Sequence, residues 1–233
     1  MKAPRGWFRA ALVDVVPRDH TQTGAQFRRR RVVVGATLVA GAVLLGISLA
    51  IRPGDPLFYV MTTAVAGVWI GGAALSGPLH LGWMPYRGNL RRPIITPIVT
   101  GLLIGAMFVL GGLFLQQLPA LRDSANEVLN HAREGSIVMI AIVTLLNGIA
   151  EEIFFRGALF AAIGRSHPVL ISTGVYALVT VVTANPLLVF AALLLGAVLG
   201  LQRRASGGIL GPILTHVTWS TIMLFALPAI IRR

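Results

Sequence analysis

Apolar residues in this chain form long, nearly unbroken runs, not the one-sided stripes of soluble helices. Seven runs stand out, at 32–51, 57–77, 94–118, 137–163, 168–184, 186–201 and 209–231. A helix rises about 1.5 Å per residue, so about 20 apolar residues cross a hydrocarbon layer about 30 Å thick. Most of the runs meet that length; the fifth and sixth are short and joined only by Asn185. The pattern predicts an all-α polytopic membrane protein with about seven transmembrane helices.

The polar breaks between runs set a direction. Placing Arg28–Arg31 in the cytoplasm puts Arg87, Arg91, Arg92, Arg165, Arg203 and Arg204 on the same side. The opposite loops are balanced or acidic, with Arg52 beside Asp55, and Arg122 and Arg133 among Asp123, Glu127 and Glu134. Loops rich in arginine stay cytoplasmic, which predicts a multi-pass cell-membrane protein with its N-terminus inside and C-terminus outside. Only Arg232-Arg233 runs against it.

Composition changes this picture little. The 233 residues are 55% hydrophobic and carry a formal net charge of +12. That charge sits in short loops between apolar runs, so it reads as topology and not as a nucleic-acid surface. Without cysteine there is no disulfide and no thiolate nucleophile or ligand. Residues 1–31 read as a basic cytoplasmic tail without a signal-peptide cleavage site. Within it, Trp7, Phe8, Ala11, Leu12 and Val15 have helical spacing beside Arg5 and Arg9, suited to an anionic membrane surface; a loose tail is the other reading. Gly67-xxx-Gly71, Gly101-xxx-Gly105 and Gly196-xxx-Gly200 each offer a flat strip for helix packing. No internal repeat of the transporter kind and no glycine-rich phosphate loop is present.

One stretch breaks the hydrocarbon. Asn147-Gly-Ile-Ala-Glu151-Glu152-Ile-Phe-Phe-Arg156-Gly157 carries three formal charges inside the fourth run. Each costs about 2.5–3.5 kcal/mol near a bilayer centre unless paired or solvated. Glu152 and Arg156 are four residues apart, so they share a helical face and can pair. Glu151 lies about 100° away, stacked on Asn147 one turn earlier. It is left as a carboxylate aimed elsewhere. A packing role for all three is the bland reading; an unpaired intramembrane carboxylate is a functional candidate.

A second constellation opens the last run, where His216 and Ser220 are also four apart. Counted from the cytoplasmic ends, Glu151 and Thr180 lie about 18 Å deep, Ser220 about 16 Å and His216 about 10 Å. A carboxylate, an imidazole and hydroxyls meeting in a dehydrated cavity are the parts of a hydrolytic site.

From Ser136 to Leu227, these two motifs resemble the CPBP family of intramembrane proteases, which takes in CaaX prenyl proteases of the Rce type and bacteriocin-processing or Abi proteins. The resemblance rests on Glu151-Glu152-xxx-Arg156-Gly157 and on Gly207-Gly-Ile-Leu-Gly-Pro-Ile-Leu-Thr-His216. It implies an Abi-type helical core in the C-terminal half, with Glu151 as the base that activates water, Glu152 and Arg156 supporting it, and His216 binding the oxyanion. It also implies a further histidine holding water or a metal, in an aromatic-xxx-His motif, and an Asn four residues after His216. This chain departs at both: Tyr176-Ala-Leu-Val-Thr180 puts Thr180 at the histidine, and Ser220 stands for Asn. His167, thirteen residues earlier, is poorly placed to substitute. Thr is a poor ligand for a transition metal, and a catalytic zinc wants three protein ligands. The metalloprotease-like zinc that the resemblance allows is therefore disfavoured, and no cofactor is expected.

The implied partners are a membrane-associated peptide or protein substrate and the lipid bilayer. The implied organisation is a tail over 1–31, helices and loops over 32–135, and a protease core over 136–231. Three functions stay open: an intramembrane endopeptidase using Glu151-activated water, a degenerate relative that binds a membrane peptide or protein, and a small transporter or channel with Glu151, Glu152 and Arg156 as a relay.

Overall fold

The computed structural model describes residues 6–18, 20–86 and 88–231. Arg87 and the terminal Arg232-Arg233, used above for topology, lie outside the described residues, as do residues 1–5 of the tail.

The chain is helical nearly throughout. The elements are α1 (Trp7–Leu12), α2 (Gly24–Leu49), α3 (Pro56–Ser76), a hairpin of β1 (Met84–Tyr86) and β2 (Asn89–Arg91), α4 (Ile95–Leu115) and α5 (Pro119–Glu134). Then come α6 (Ile137–Glu151), a π-helical stretch (Glu152–Leu159) and α7 (Phe160–Ile163), which together form one rod. The chain ends with α8 (Pro168–Thr180), α9 (Pro186–Ser206) and α10 (Leu210–Ile230). Among the described residues six helices are long and apolar enough to cross a membrane: α2, α3, α4, the α6–α7 rod, α9 and α10. The fifth predicted span, α8 with a 3₁₀ turn to Thr183, is shorter. This is a multi-pass membrane protein.

The boundaries of the first span differ from the sequence reading. α2 begins at Gly24, capped by the Thr23 hydroxyl and the Gln26 side chain in a reciprocal box. Arg28–Arg31 are therefore helical. Arg30 is buried, its Nη2 donating to the Pro78 carbonyl at 3.1 Å and its Nε to Gln22 at 3.0 Å. The tail is not loose either. Ala11, Leu12 and Val16 are buried, α1 packs on α9, and the Val16 amide donates to the Ala205 carbonyl. Phe8, Val13 and Val15 stay exposed.

Helices pair as α2/α3, α4/α10 and α8/α9. Two of the three glycine strips serve these pairs. A Cβ on Gly101 would fall 2.7 Å from the Thr215 carbonyl oxygen, and one on Gly196 would fall 2.9 Å from the Thr173 methyl group. Gly67 and Gly71 face open space instead; on α3 the close approach is made by Gly72 against Thr37. Around Trp69 the core is aromatic, with Phe154 and Phe155 at 4.7 and 5.1 Å between ring centroids. Gly41 gives the Trp69 indole its room, since a Cβ there would lie 2.2 Å from the ring. Val39, Leu103, Leu110, Leu170 and Leu178 point outward, as residues facing lipid do.

The loops gather at two ends. At one, Arg30, His80, Arg92 and Arg203 stand near the hairpin and the α9–α10 junction, where Ile209 and Leu210 amides donate to the His80 and Leu81 carbonyls. At the other, α5 forms an amphipathic helix across the bundle. The hydropathy pattern alone predicts only a loop here. Its Ala125, Leu129 and His131 are buried, and Asn185 Nδ2 donates to the Ser124 carbonyl at 2.6 Å and to Glu127 at 3.1 Å.

Candidate active site

α6 ends at Glu151 because the next turn is π-helical, and such single wide turns cluster at functional sites. Glu152 and Arg156 project from that turn into the core, both buried, with Arg156 Nη1 donating to Glu152 Oε1 at 2.9 Å. The predicted ion pair is present. It is not self-contained, however: His216 Nδ1 lies 2.8 Å from the same Glu152 oxygen, so Glu152 ties α6 to α10. Gly148, one turn before Glu152, packs beside the imidazole; a Cβ there would sit 3.5 Å from the ring, in ordinary van der Waals contact. Arg156 is anchored twice more. Its carbonyl accepts from Arg203 Nε at 2.6 Å, and its guanidinium lies 4.6 Å over the Tyr176 ring.

Glu151 is set apart from this network, half-buried where Glu152 and Arg156 are fully enclosed. It borders a cavity of about 470 Å³ whose walls are mainly apolar. His216, Thr180 and Ser220 line the same cavity. Three helices thus bring these four residues to the walls of one cavity. From Glu151 the cavity runs away from the arginine-rich end, past Val143 and Leu224 to Leu129 and Ile231 beneath α5.

Two details differ from the sequence reading. Asn147 lines the cavity but does not hold Glu151; its Nδ2 donates to the Thr62 and Val143 carbonyls at 3.0 and 2.9 Å. Glu151 Oε2 instead accepts a hydrogen bond of 2.5 Å from the Tyr176 hydroxyl on α8. In the sequence Tyr176 is marked only as the aromatic position of the aromatic-xxx-Thr180 motif. A signal was present: a phenol in hydrocarbon needs a partner, and Tyr176 shares its face with Thr180 four residues on. Thr180 is also more constrained than expected. Its hydroxyl donates to the Tyr176 carbonyl at 2.9 Å, so toward the cavity it can accept a hydrogen bond but not give one.

The donor set does not fit a metal. Among the described residues no group of three His, Cys, Asp or Glu side chains is placed to hold an ion. Nδ1 of His216 is engaged by Glu152, and Thr180 stands where the resemblance expects a histidine. His167 is no substitute: it is exposed at the start of α8, with a left-handed backbone (φ 46°).

Residues 133–222 match the family described as Rce1-like, the type II CAAX prenyl endopeptidases. No curated protein and no solved structure matches the chain. The matched segment contains Glu151, Glu152, Arg156, Tyr176, Thr180, His216 and Ser220 together. Over this segment, well under half of its length, the chain is similar to the Rce1-like family of membrane proteases.

Proposed function

We propose that this chain is an intramembrane endopeptidase that hydrolyses membrane-associated peptides with water activated by Glu151. The observation that carries the reading is the division of labour between adjacent carboxylates. Glu152 is consumed by Arg156 and His216, while Glu151 faces the cavity with one oxygen held by Tyr176. The held oxygen fixes the carboxylate plane and leaves Oε1 for water.

In this reading Glu151 takes a proton from water as the oxygen attacks the peptide carbonyl carbon. The His216 ring, its Nδ1–H directed to Glu152, presents Nε2 to the cavity; in the charged ring this N–H donates to the developing oxyanion. Ser220, one turn on along α10, gives one further hydrogen bond, and Thr180 accepts one from the attacking water. Collapse of the tetrahedral intermediate breaks the C–N bond, and Glu151 returns its proton to the leaving amine. Because the cavity extends toward α5, substrate is supplied from that end. With the arginine-rich end in the cytoplasm, the N-terminus is cytoplasmic and α5 lies on the far side.

The test is turnover of a quenched peptide library by the purified, detergent-solubilised protein against Glu151→Gln. Wild type cleaves, and the variant loses about 10²-fold or more. Wild type that binds peptide without cleaving it overturns the catalytic reading and leaves a non-catalytic binding module.

A further inference from the structure

At the arginine-rich end, a second pocket of about 300 Å³ lies between the N-terminal segment, the loop after α3 and the α9–α10 junction. Arg18, His20, His80, Trp83, Arg92 and Ser206 line it. The two imidazoles are stacked, 3.6 Å between centroids and 9° from parallel. Arg92 lies 3.7 Å over the Trp83 ring and donates to the Gly82 carbonyl at 2.8 Å. Arg18 crosses the junction to the Arg204 carbonyl, also at 2.8 Å. Arg30 and Arg203 stand behind this wall, close enough to act on His80.

These four guanidiniums share one feature. Their hydrogen bonds go to neutral oxygens: the carbonyls of Arg204, Gly82, Pro78 and Arg156, and the amide of Gln22. None is paired with a carboxylate among the described residues, and none of the described lining residues is acidic. A guanidinium has five N–H donors, so each keeps several free. Arg18 and Arg92 are exposed at the pocket and Arg30 and Arg203 are buried behind it, and the four like charges repel one another until an anion enters. The field shows in the titration of the lining groups: burial and the charges of Arg203 and Arg30 hold the His80 imidazole below its ordinary value, and burial does the same to Arg18.

We propose that this pocket binds a phosphate-bearing anion, gripped by Arg18 and Arg92. Planar guanidiniums meet phosphate oxygens two at a time, which the neutral carbonyls cannot match. The volume admits a phosphate group with a short polar stem, and the pocket sits at the end of the bundle where lipid headgroups lie. Arg203 then links the bound anion to the protease core, since its Nε holds the carbonyl of Arg156. The site does not depend on the peptidase reading.

The test uses the full-length protein in phosphatidylcholine nanodiscs and follows thermal unfolding during titration with inorganic phosphate. In a second arm, phosphatidylglycerol replaces part of the phosphatidylcholine, and retained lipid is counted by native mass spectrometry. Saturable stabilisation in the first arm identifies a free phosphate site; a response confined to the second identifies a lipid headgroup. In either case Arg18→Gln with Arg92→Gln weakens binding about tenfold or more. Arg28→Gln with Arg165→Gln, which removes two exposed charges elsewhere on the molecule, does not. Arg92→Lys keeps the charge but not the fork and gives an intermediate loss, which covers a double variant that fails to fold. No response of wild type in either arm, or an equal loss in the Arg28 and Arg165 variant, overturns the proposal.

Discussion

The hydroxyl of Tyr176 lies 2.5 Å from Oε2 of Glu151, joining α8 to the turn where α6 becomes π-helical. In the proposed mechanism this bond leaves the other carboxylate oxygen for water and fixes its direction. Tyr176→Phe keeps the ring against Phe155 and under the Arg156 guanidinium while removing the donor. If this bond acts mainly in the transition state, losing about 1.5–3 kcal/mol corresponds to a roughly tenfold to hundredfold fall in kcat, with the melting temperature nearly unchanged. A lower melting temperature with unaltered kcat marks the bond as structural.

The adjacent carboxylates should respond differently to substitution. Arg156→Leu leaves Glu152 buried with only His216, and breaking a buried pair costs about 3–5 kcal/mol. Glu151→Gln preserves shape at the cavity wall and should leave folding nearly intact while abolishing proteolysis. Melting temperature and yield, measured beside turnover, separate the two; equal damage to folding from both would falsify the division of labour.

Thr180 and Ser220 are the two departures from the family pattern, and both line the cavity with Glu151. Thr180→His with Ser220→Asn adds an imidazole and replaces a hydroxyl donor with an amide that has two N–H donors. Each well-placed group is worth about 10²–10³-fold, so turnover should rise visibly. Bound divalent metal, measured by elemental analysis, should rise too, because His216 gains a second imidazole nearby. A folded double variant that gains neither shows that Thr180 does not occupy the histidine position.

Acid should loosen the α5 end. His131 is buried against Phe58, ring centroids 4.2 Å apart, and burial holds its imidazole below the ordinary 6.5 although Glu134 opposes this. The unfolded chain therefore binds the proton more readily. Stability is full above pH 6.5 and is lost as pH falls through the lower folded value. His131→Phe keeps the stack and removes the titration, so its melting temperature should vary less with pH in that window than that of wild type.

Topology is open to reporter fusions. Fusions at Arg92, Arg165 and Arg204 should report cytoplasm, and those at Asp55 and Asn126 the far side. Arg165 on the far side would reverse the direction from which the cavity is supplied.

The membrane class, the order of the spans and the Glu152–Arg156 pair are local properties. Each follows from the cost of a residue in hydrocarbon or from neighbours four apart on one helix, so the sequence by itself determined them. The same local rules placed Glu151, Thr180 and Ser220 at nearly one depth and His216 nearer the cytoplasmic end, but depth does not say which side chains meet. Only the tertiary structure decided that His216 joins Glu152, that Tyr176 and not Asn147 holds Glu151, and that Gly72 and not the Gly67-xxx-Gly71 strip packs on α2. It also decided the fate of the polar segments. Residues 6–18 fold onto α9, and α5 closes over the cavity, because their few apolar residues find partners far along the chain. Their helical spacing is a local property, but the partner is not: it depends on the relative rotation of helices, which packing of the assembled bundle sets.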